Sequence, residues 1–127
     1  MLNQIVVVGR LVKDPIINET QDGKKLANIT LAVQRSFRNL EGNYEVDFID
    51  CVLWKGIAES TATYCTKGGM IGIKGRLMTS LYKNEEGQTR KNVEVVAEKV
   101  SFLGYPNYNN NEERHHPTGK ANADINS

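Results

Sequence analysis

VDFIDCVLWKGIAESTATYCTKGG, residues 46–69, contains the change of pattern that decides the fold. Its first ten residues read as a strand, because alternate side chains of a strand point to opposite faces. One face, formed by Ile49, Cys51 and Leu53, is an ordinary core face. The other face carries Phe48, Asp50, Val52 and Trp54. Two large aromatic side chains on a face that also carries an aspartate indicate a working surface rather than a second core.

The alternation stops after this strand. From Ile57 to Thr66 the residues tolerate a helix and show no period of two, and Lys-Gly-Gly at 67–69 is typical of a helix end with a glycine C-cap. The stretch therefore predicts one strand followed by one short helix.

Strand patterns lie on both sides of the predicted helix. They are NQIVVVGRLV (3–12), LANITLAVQRSF (26–37), MIGIKGRLMTSLYK (70–83) and TRKNVEVVAEKVSFL (89–103). Glycine-bearing turns separate them, at QDGKK (21–25), NLEGN (39–43) and NEEGQ (84–88). Five short antiparallel strands with one helix between the third and fourth predict an all-β Greek-key barrel of the oligonucleotide/oligosaccharide-binding type, the OB-fold. A β-sandwich would contain more strands and would not need the helix.

The composition changes after Gly104. Residues 1–104 contain the strand patterns and predict a single domain, whereas residues 105–127 are polar and asparagine-rich and predict a disordered tail. The net charge of the chain is only +1, so an anionic partner must be held by a local patch. The first strand is apolar on both faces, which predicts that a second subunit covers its outer face.

The sequence gives no support for a catalytic function. The two histidines, His115 and His116, lie in the predicted tail, and Cys51 and Cys65 read as reduced, buried thiols. No nucleophile has a nearby base, and no glycine-rich phosphate loop links a strand to a helix. The longest apolar run near the start, IVVV at 5–8, is too short for a membrane span or a signal segment. We therefore predict a cytoplasmic binding protein without a catalytic residue, a metal or a cofactor.

A binding surface does have support. The fourth strand places Lys74, Arg76 and Tyr82 on one face, and the second strand ends with arginine and phenylalanine interleaved, in RSFR at 35–38. Phe37 falls on the core side by simple alternation, so its exposure requires the strand to bend or end near Ser36. Unpaired bases stack on aromatic rings and phosphates bind Lys and Arg, so this pattern suits single-stranded nucleic acid. A subunit interface gives the same pattern, and alternation alone favours neither.

Five segments together resemble the bacterial single-stranded DNA-binding proteins across residues 1–104 and in the same order. They are MLNQIVVVGRLVKDP, ANITLAVQRSFRN, EVDFIDCVLWKGIAE, YCTKGGMIGIKGRL and EVVAEKVSFL. The resemblance implies an OB-fold barrel and a homotetramer around which single-stranded DNA wraps. It also implies a non-catalytic role that protects DNA strands during replication, recombination and repair, or during DNA uptake.

The resemblance also implies the site residues. The stacking aromatics of the family match Phe37, Phe48, Trp54 and Tyr82. The candidate phosphate contacts are basic positions, not all of which are expected to face the strand: Arg10, Lys13, Arg35, Arg38, Lys55, Lys67, Lys74, Arg76, Arg90 and Lys91.

The C-terminal residues differ from the family pattern. Members that recruit replication and repair proteins end in an acidic run with a hydrophobic tip, whereas this sequence ends KANADINS. The ending argues against such recruitment and is similar to short-tailed accessory, competence-type, phage or plasmid members.

Three alternatives stay open at this point. An OB-fold adaptor would use the aromatic face to bind protein, because a fold does not dictate its ligand. RNA would stack on the same surface as DNA. A nuclease would need clustered carboxylates, but Asp47 and Asp50 point to opposite faces of their strand.

Overall fold

A closed β-barrel is the architecture of the chain in a computed structural model that describes residues 1–104. The strands are β1 (Ile5–Leu11), β2 (Asn18–Glu19), β3 (Lys25–Arg38), β4 (Tyr44–Trp54), β5 (Met70–Lys83) and β6 (Thr89–Gly104), with one helix, α1 (Lys55–Tyr64). The sheet order β1-β5-β6-β4-β3-β2 closes on itself because β1 also pairs with β3. Five strands form the barrel, β2 is a two-residue extra strand, and the predicted OB-fold barrel is confirmed. The predicted tail, residues 105–127, lies outside the described residues.

One detail of the strand prediction was wrong. The pair β4–β6 is parallel, with Cys51 opposite Val95 and Val52 opposite Val96, so the barrel is not wholly antiparallel. This difference follows from closure, because the contact between β4 and β6 is needed to complete the ring of strands. The predicted bounds of the last two strands agree with the structure: β5 covers 70–83 as predicted, and β6 ends one residue after the predicted 89–103.

The end of the helix also differs from the prediction. Helix α1 stops at Tyr64, and Cys65 is already extended, so no glycine caps it. Cys65 leaves the helix because its side chain is buried in the core. Gly68, with a φ of 88°, instead turns the chain between Cys65 and β5.

The core is filled by the inward face of every barrel strand. Leu31, Leu53, Ile71 and Val95 are almost fully buried, and α1 covers one end of the barrel with Ala58. Each such aliphatic side chain contributes about 1.5–3 kcal/mol of burial free energy. Burial also raises the pKa of the Cys51 and Cys65 thiols to about 12, so both stay protonated at neutral pH.

Two hairpins extend beyond the barrel, and their turns are built alike. At the tip of β3–β4, the Asn39 Oδ1 atom accepts the backbone N–H groups of Glu41 and Asn43. At the tip of β5–β6, the Asn84 Oδ1 atom accepts those of Glu86 and Gln88. Each turn has a glycine at positive φ three residues after the asparagine, which only glycine adopts readily. Both of these turns were predicted and are confirmed, and their shared motif is Asn-x-Glu-Gly.

The N-terminus is tied to the second hairpin. The Asn3 side chain donates to the Leu77 carbonyl at 2.8 Å and accepts the Leu77 N–H at 3.0 Å. These bonds continue the β1–β5 ladder past its last backbone pair, Ile5 with Gly75.

No helix among residues 1–104 is long and apolar enough to cross a membrane.

Candidate nucleic-acid interface

Phe48 and Trp54 lie on the outer face of β4. Phe48 is 66% exposed and lies opposite Ala32 of β3, while Trp54 is half-buried and lies opposite Leu26. Their separation of six positions spans about 20 Å along a strand. One base cannot contact both rings, so the pair is suited to different parts of a long ligand.

The face between these aromatics is less polar than the alternation predicts. Val52, expected on the outer face, is 4% exposed. Its parallel partner Val96 is also buried, and neither valine belongs to the core cluster. The two valines therefore form a small outer apolar contact, and the β6–β5 register places Arg76 beside it, opposite Val96.

Tyr82 lies on the β5–β6 hairpin. It is 53% exposed and is directly opposite Arg90 on β6. Side chains directly opposite each other in an antiparallel pair share a face, with Cβ atoms about 5 Å apart. An aromatic ring and a guanidinium are thus presented side by side.

Phe37 lies on the β3–β4 hairpin and is 81% exposed. The β3–β4 register shifts between Gln34 and Arg38, so the strand is bulged at the position where bending was required. After the bulge, the Arg38 guanidinium lies 5.1 Å from the centre of the Tyr44 ring.

Tyr44 is an aromatic that the sequence reasoning missed. It is 44% exposed and shares the alternation of Val46 and Phe48 on β4. The predicted strand began at residue 46, which excluded this tyrosine; extending the same period by two residues would have found it.

The strand register divides the predicted cations into groups. Arg10 lies opposite Ala32, which lies opposite Phe48, so the three share the outer face, with Arg10 and Phe48 about 10 Å apart at Cα. Lys74, Arg76 and Arg90 share the outer face of β5 and β6 with Tyr82. The register therefore places Arg10 in the row of Phe48 and Arg90 beside Tyr82, while Lys74 and Arg76 lie further along the outer face of β5.

Other predicted cations lie elsewhere. Lys91 is opposite Leu81 and therefore points to the other side of its hairpin from Tyr82. Lys13 and Lys67 lie in loops at one end of the barrel, where the Lys67 N–H donates to Asp14 at 2.7 Å. Lys55 begins α1 at a positive φ of 52° next to Trp54, a conformation uncommon for lysine.

Arg35 is held by carboxylates. Its guanidinium donates to both Asp47 oxygens, at 3.0 and 2.9 Å, and to Glu45 at 3.0 Å. The hydrogen bond and charge of Asp47 raise the pKa of Arg35, and the hydrogen bond from Arg35 lowers the pKa of Asp47. Asp50, on the opposite face, accepts the Thr30 hydroxyl at 2.9 Å. The two aspartates are thus separated, and residues 1–104 contain no group of three or more potential metal ligands.

Comparisons with known proteins agree on one family. The model of the "Single-strand binding protein family" matches residues 2–103. The chain is 48% identical to "Single-stranded DNA-binding protein B" of Bacillus subtilis (strain 168) over 103 residues, which cover 81% of this chain and 91% of that protein.

Longer relatives are similar over the same region. "Single-stranded DNA-binding protein A" of the same strain is 48% identical over 103 residues, 81% of this chain and 60% of that protein. "Single-stranded DNA-binding protein" of Enterococcus faecalis (strain ATCC 700802 / V583) is 42% identical over 123 residues, 88% of this chain and 65% of that protein. The chain therefore spans less than two thirds of these two relatives.

Proposed function

The chain belongs to the single-strand binding protein family, whose activity is to bind single-stranded DNA in replication, recombination and repair, and from this premise we propose how this chain binds it. Bases stack on four exposed or half-buried rings, Phe37, Phe48, Trp54 and Tyr82, and phosphates contact cations on the outer faces of the strands. The observation that carries the proposal is the pairing of an exposed ring with a guanidinium at Tyr82 and Arg90. Stacking accepts any base, so binding has little sequence preference.

The phosphate contacts are assigned by face. Arg90 lies beside Tyr82, Arg76 and Lys74 lie six and eight positions before Tyr82 on the same face of β5, and Arg10 lies in the row of Phe48. We propose Arg10, Arg76 and Arg90 as the principal contacts, whereas Lys74 lies directly opposite Val6, at the subunit face proposed below. Three further cations beside the strand ends extend the proposed path of the DNA: Lys13, Lys55 and Lys67. Arg38 packs over the ring of Tyr44. Lys91 faces away from Tyr82 and contributes only general positive charge.

The proposal is tested by titration with oligo-dT of increasing length. Trp54 is the only tryptophan, so a base stacked on it should quench the intrinsic fluorescence. Affinity should fall with salt, with a slope of log K against log salt of about −0.7 for each phosphate neutralised. Unchanged fluorescence and unchanged electrophoretic mobility in excess oligo-dT at low salt would refute it. Oligo-rU of equal length is the parallel arm that measures discrimination against RNA.

The relatives are named for DNA binding and not for a reaction, and we propose that this chain is likewise not an enzyme. The same face could serve an adaptor that binds protein, but the family supports DNA as the ligand. The cytoplasmic location stays a prediction, as does the argument against recruitment by the C-terminus, which lies outside residues 1–104.

We also propose that the chain assembles as a homotetramer in which the outer face of β1 forms one of the subunit contacts. Val6 and Val8 are 68% and 47% exposed on the outer face of that strand, next to Leu103, which is 48% exposed. Strand β3 pairs with β1 only at Arg10 and Leu11, so residues 5–8 leave one backbone edge without a strand partner in the described part of the chain. An exposed apolar face beside an open edge is suited to a second copy of the strand.

Substituting Val6→Asp should break this assembly, because a charge would be buried at the subunit contact. Sedimentation should show the mass falling from about four chains to a smaller species. Ile16→Asp is the matched control, since Ile16 is 65% exposed outside that face, and its mass should stay that of the native protein. An unchanged mass for Val6→Asp would count against assembly through β1.

A further inference from the structure

The bulge in β3 leaves three residues without partners in the ladder. Gln34 lies opposite Val46, and the next pair is Arg38 with Tyr44. Residues 35–37 therefore face the single residue Glu45. Phe37, the most exposed of the four predicted stacking aromatics, lies in this segment, which has no residue-for-residue pairing with β4.

The Arg35 side chain supplies a connection across the bulge. Its guanidinium donates hydrogen bonds to Asp47 from Nε and Nη2 and to Glu45 from Nη1. The other Glu45 oxygen accepts the Asn39 side chain at 3.4 Å, which links the contact to the turn of the hairpin. A planar guanidinium with two parallel bonds to one carboxylate fixes geometry in a way that a lysine ammonium does not.

We propose that Arg35 is a positioning residue that holds Phe37 for stacking, rather than a phosphate contact. The inference rests on the proposed function. Arg35 is surrounded by two carboxylates, so the local charge of the three side chains is −1 and does not by itself attract a phosphate. All three are about half exposed, and surface ion pairs contribute little to stability, so the effect is expected in binding rather than in folding.

Asp47→Asn separates this proposal from simple charge. Removing a negative charge near the DNA should by itself tighten binding. Loss of the paired hydrogen bonds between Arg35 and Asp47 should instead free the bulge to move, so that Phe37 is no longer held in place. We expect about three- to tenfold weaker oligo-dT binding, a part of what one stacked base contributes. Asp50→Asn is the matched control on the same strand: it removes the same charge outside the bulge, and binding should become slightly tighter.

Arg35→Lys gives an independent measurement. It keeps the positive charge but cannot form the two-bonded fork with Asp47. If Arg35 is a positioning residue, Arg35→Lys should weaken oligo-dT binding as much as Asp47→Asn does. A phosphate contact would keep near-native affinity, since lysine also binds phosphate.

The Phe37→Ala background tests whether the effect passes through Phe37. There, Asp47→Asn should no longer weaken binding and should resemble Asp50→Asn. The proposal is overturned if Asp47→Asn tightens binding in the native background, if Arg35→Lys keeps native affinity, or if the loss persists without Phe37. Failure of the proposed function is distinct, because the unsubstituted protein would then not bind oligo-dT.

Discussion

Replacing both Phe48 and Tyr82 with alanine should weaken oligo-dT binding by about 30-fold or more. Each stacked base contributes roughly 1–3 kcal/mol, so two lost rings remove at least about 2 kcal/mol. Both side chains are more than half exposed and add little to the core. Stability should therefore be nearly unchanged, and Trp54 remains as the fluorescent reporter of the titration.

The control for this double variant is Leu40→Ala with Leu81→Ala. Leu40 is at the β3–β4 turn and Leu81 is on the opposite face of β5 from Tyr82, and both are strongly exposed. The control removes exposed apolar side chains from the same two hairpins without removing a ring. Equal loss in the two double variants would show that the hairpins, and not the aromatic face, determine affinity.

Gly75→Ala should destabilise the fold by about 3 kcal/mol, the upper part of the range for overpacking a core. A Cβ atom at Gly75 would lie 2.0 Å from the Val96 carbonyl oxygen, which belongs to the backbone and cannot rotate away. The β5–β6 register shifts at this point, with Lys74 opposite Lys99 and Gly75 opposite Ala97, so the strands come close at a bend. Urea unfolding followed by circular dichroism measures the loss.

Gly72→Ala is the comparison on the same strand. Its nearest atom would be the Val8 Cγ2 at 3.5 Å, an ordinary contact, so little change in the urea midpoint is expected. A Gly75→Ala protein as stable as Gly72→Ala would mean that β6 can shift at its bulge without cost.

The sequence predicts local features of the fold better than distant ones. The β3–β4 and β5–β6 hairpins were predictable, because each Asn-x-Glu-Gly turn and the alternating apolar residues of its two strands are adjacent in the chain. The parallel contact of Val52 with Val96 was not, because it joins residues that are far apart in sequence. Cys65 shows the same limit: core burial ends the helix before the glycines that look like its cap.

The candidate site shows the same difference between features set by local alternation and features set by strand pairing. Alternation placed Phe48 and Tyr82 on outer faces, where the structure has them exposed. It could not sort the cations, because the face of Lys91 depends on its pairing with Leu81. Arg35 differs for another reason: its carboxylate partners on β4 are brought near it only by the hairpin register.

The matched turns also bear on how the chain folds. Each closes its hairpin over five residues, so the β3–β4 and β5–β6 pairs need little loop entropy to form. Strand β1 must instead pair with β5 across α1 and three other strands, as Val7 does with Ile73. We expect the hairpins to form early and β1 to close the barrel late. Pulsed hydrogen exchange during refolding should then protect Leu53 and Val95 amides before that of Val7.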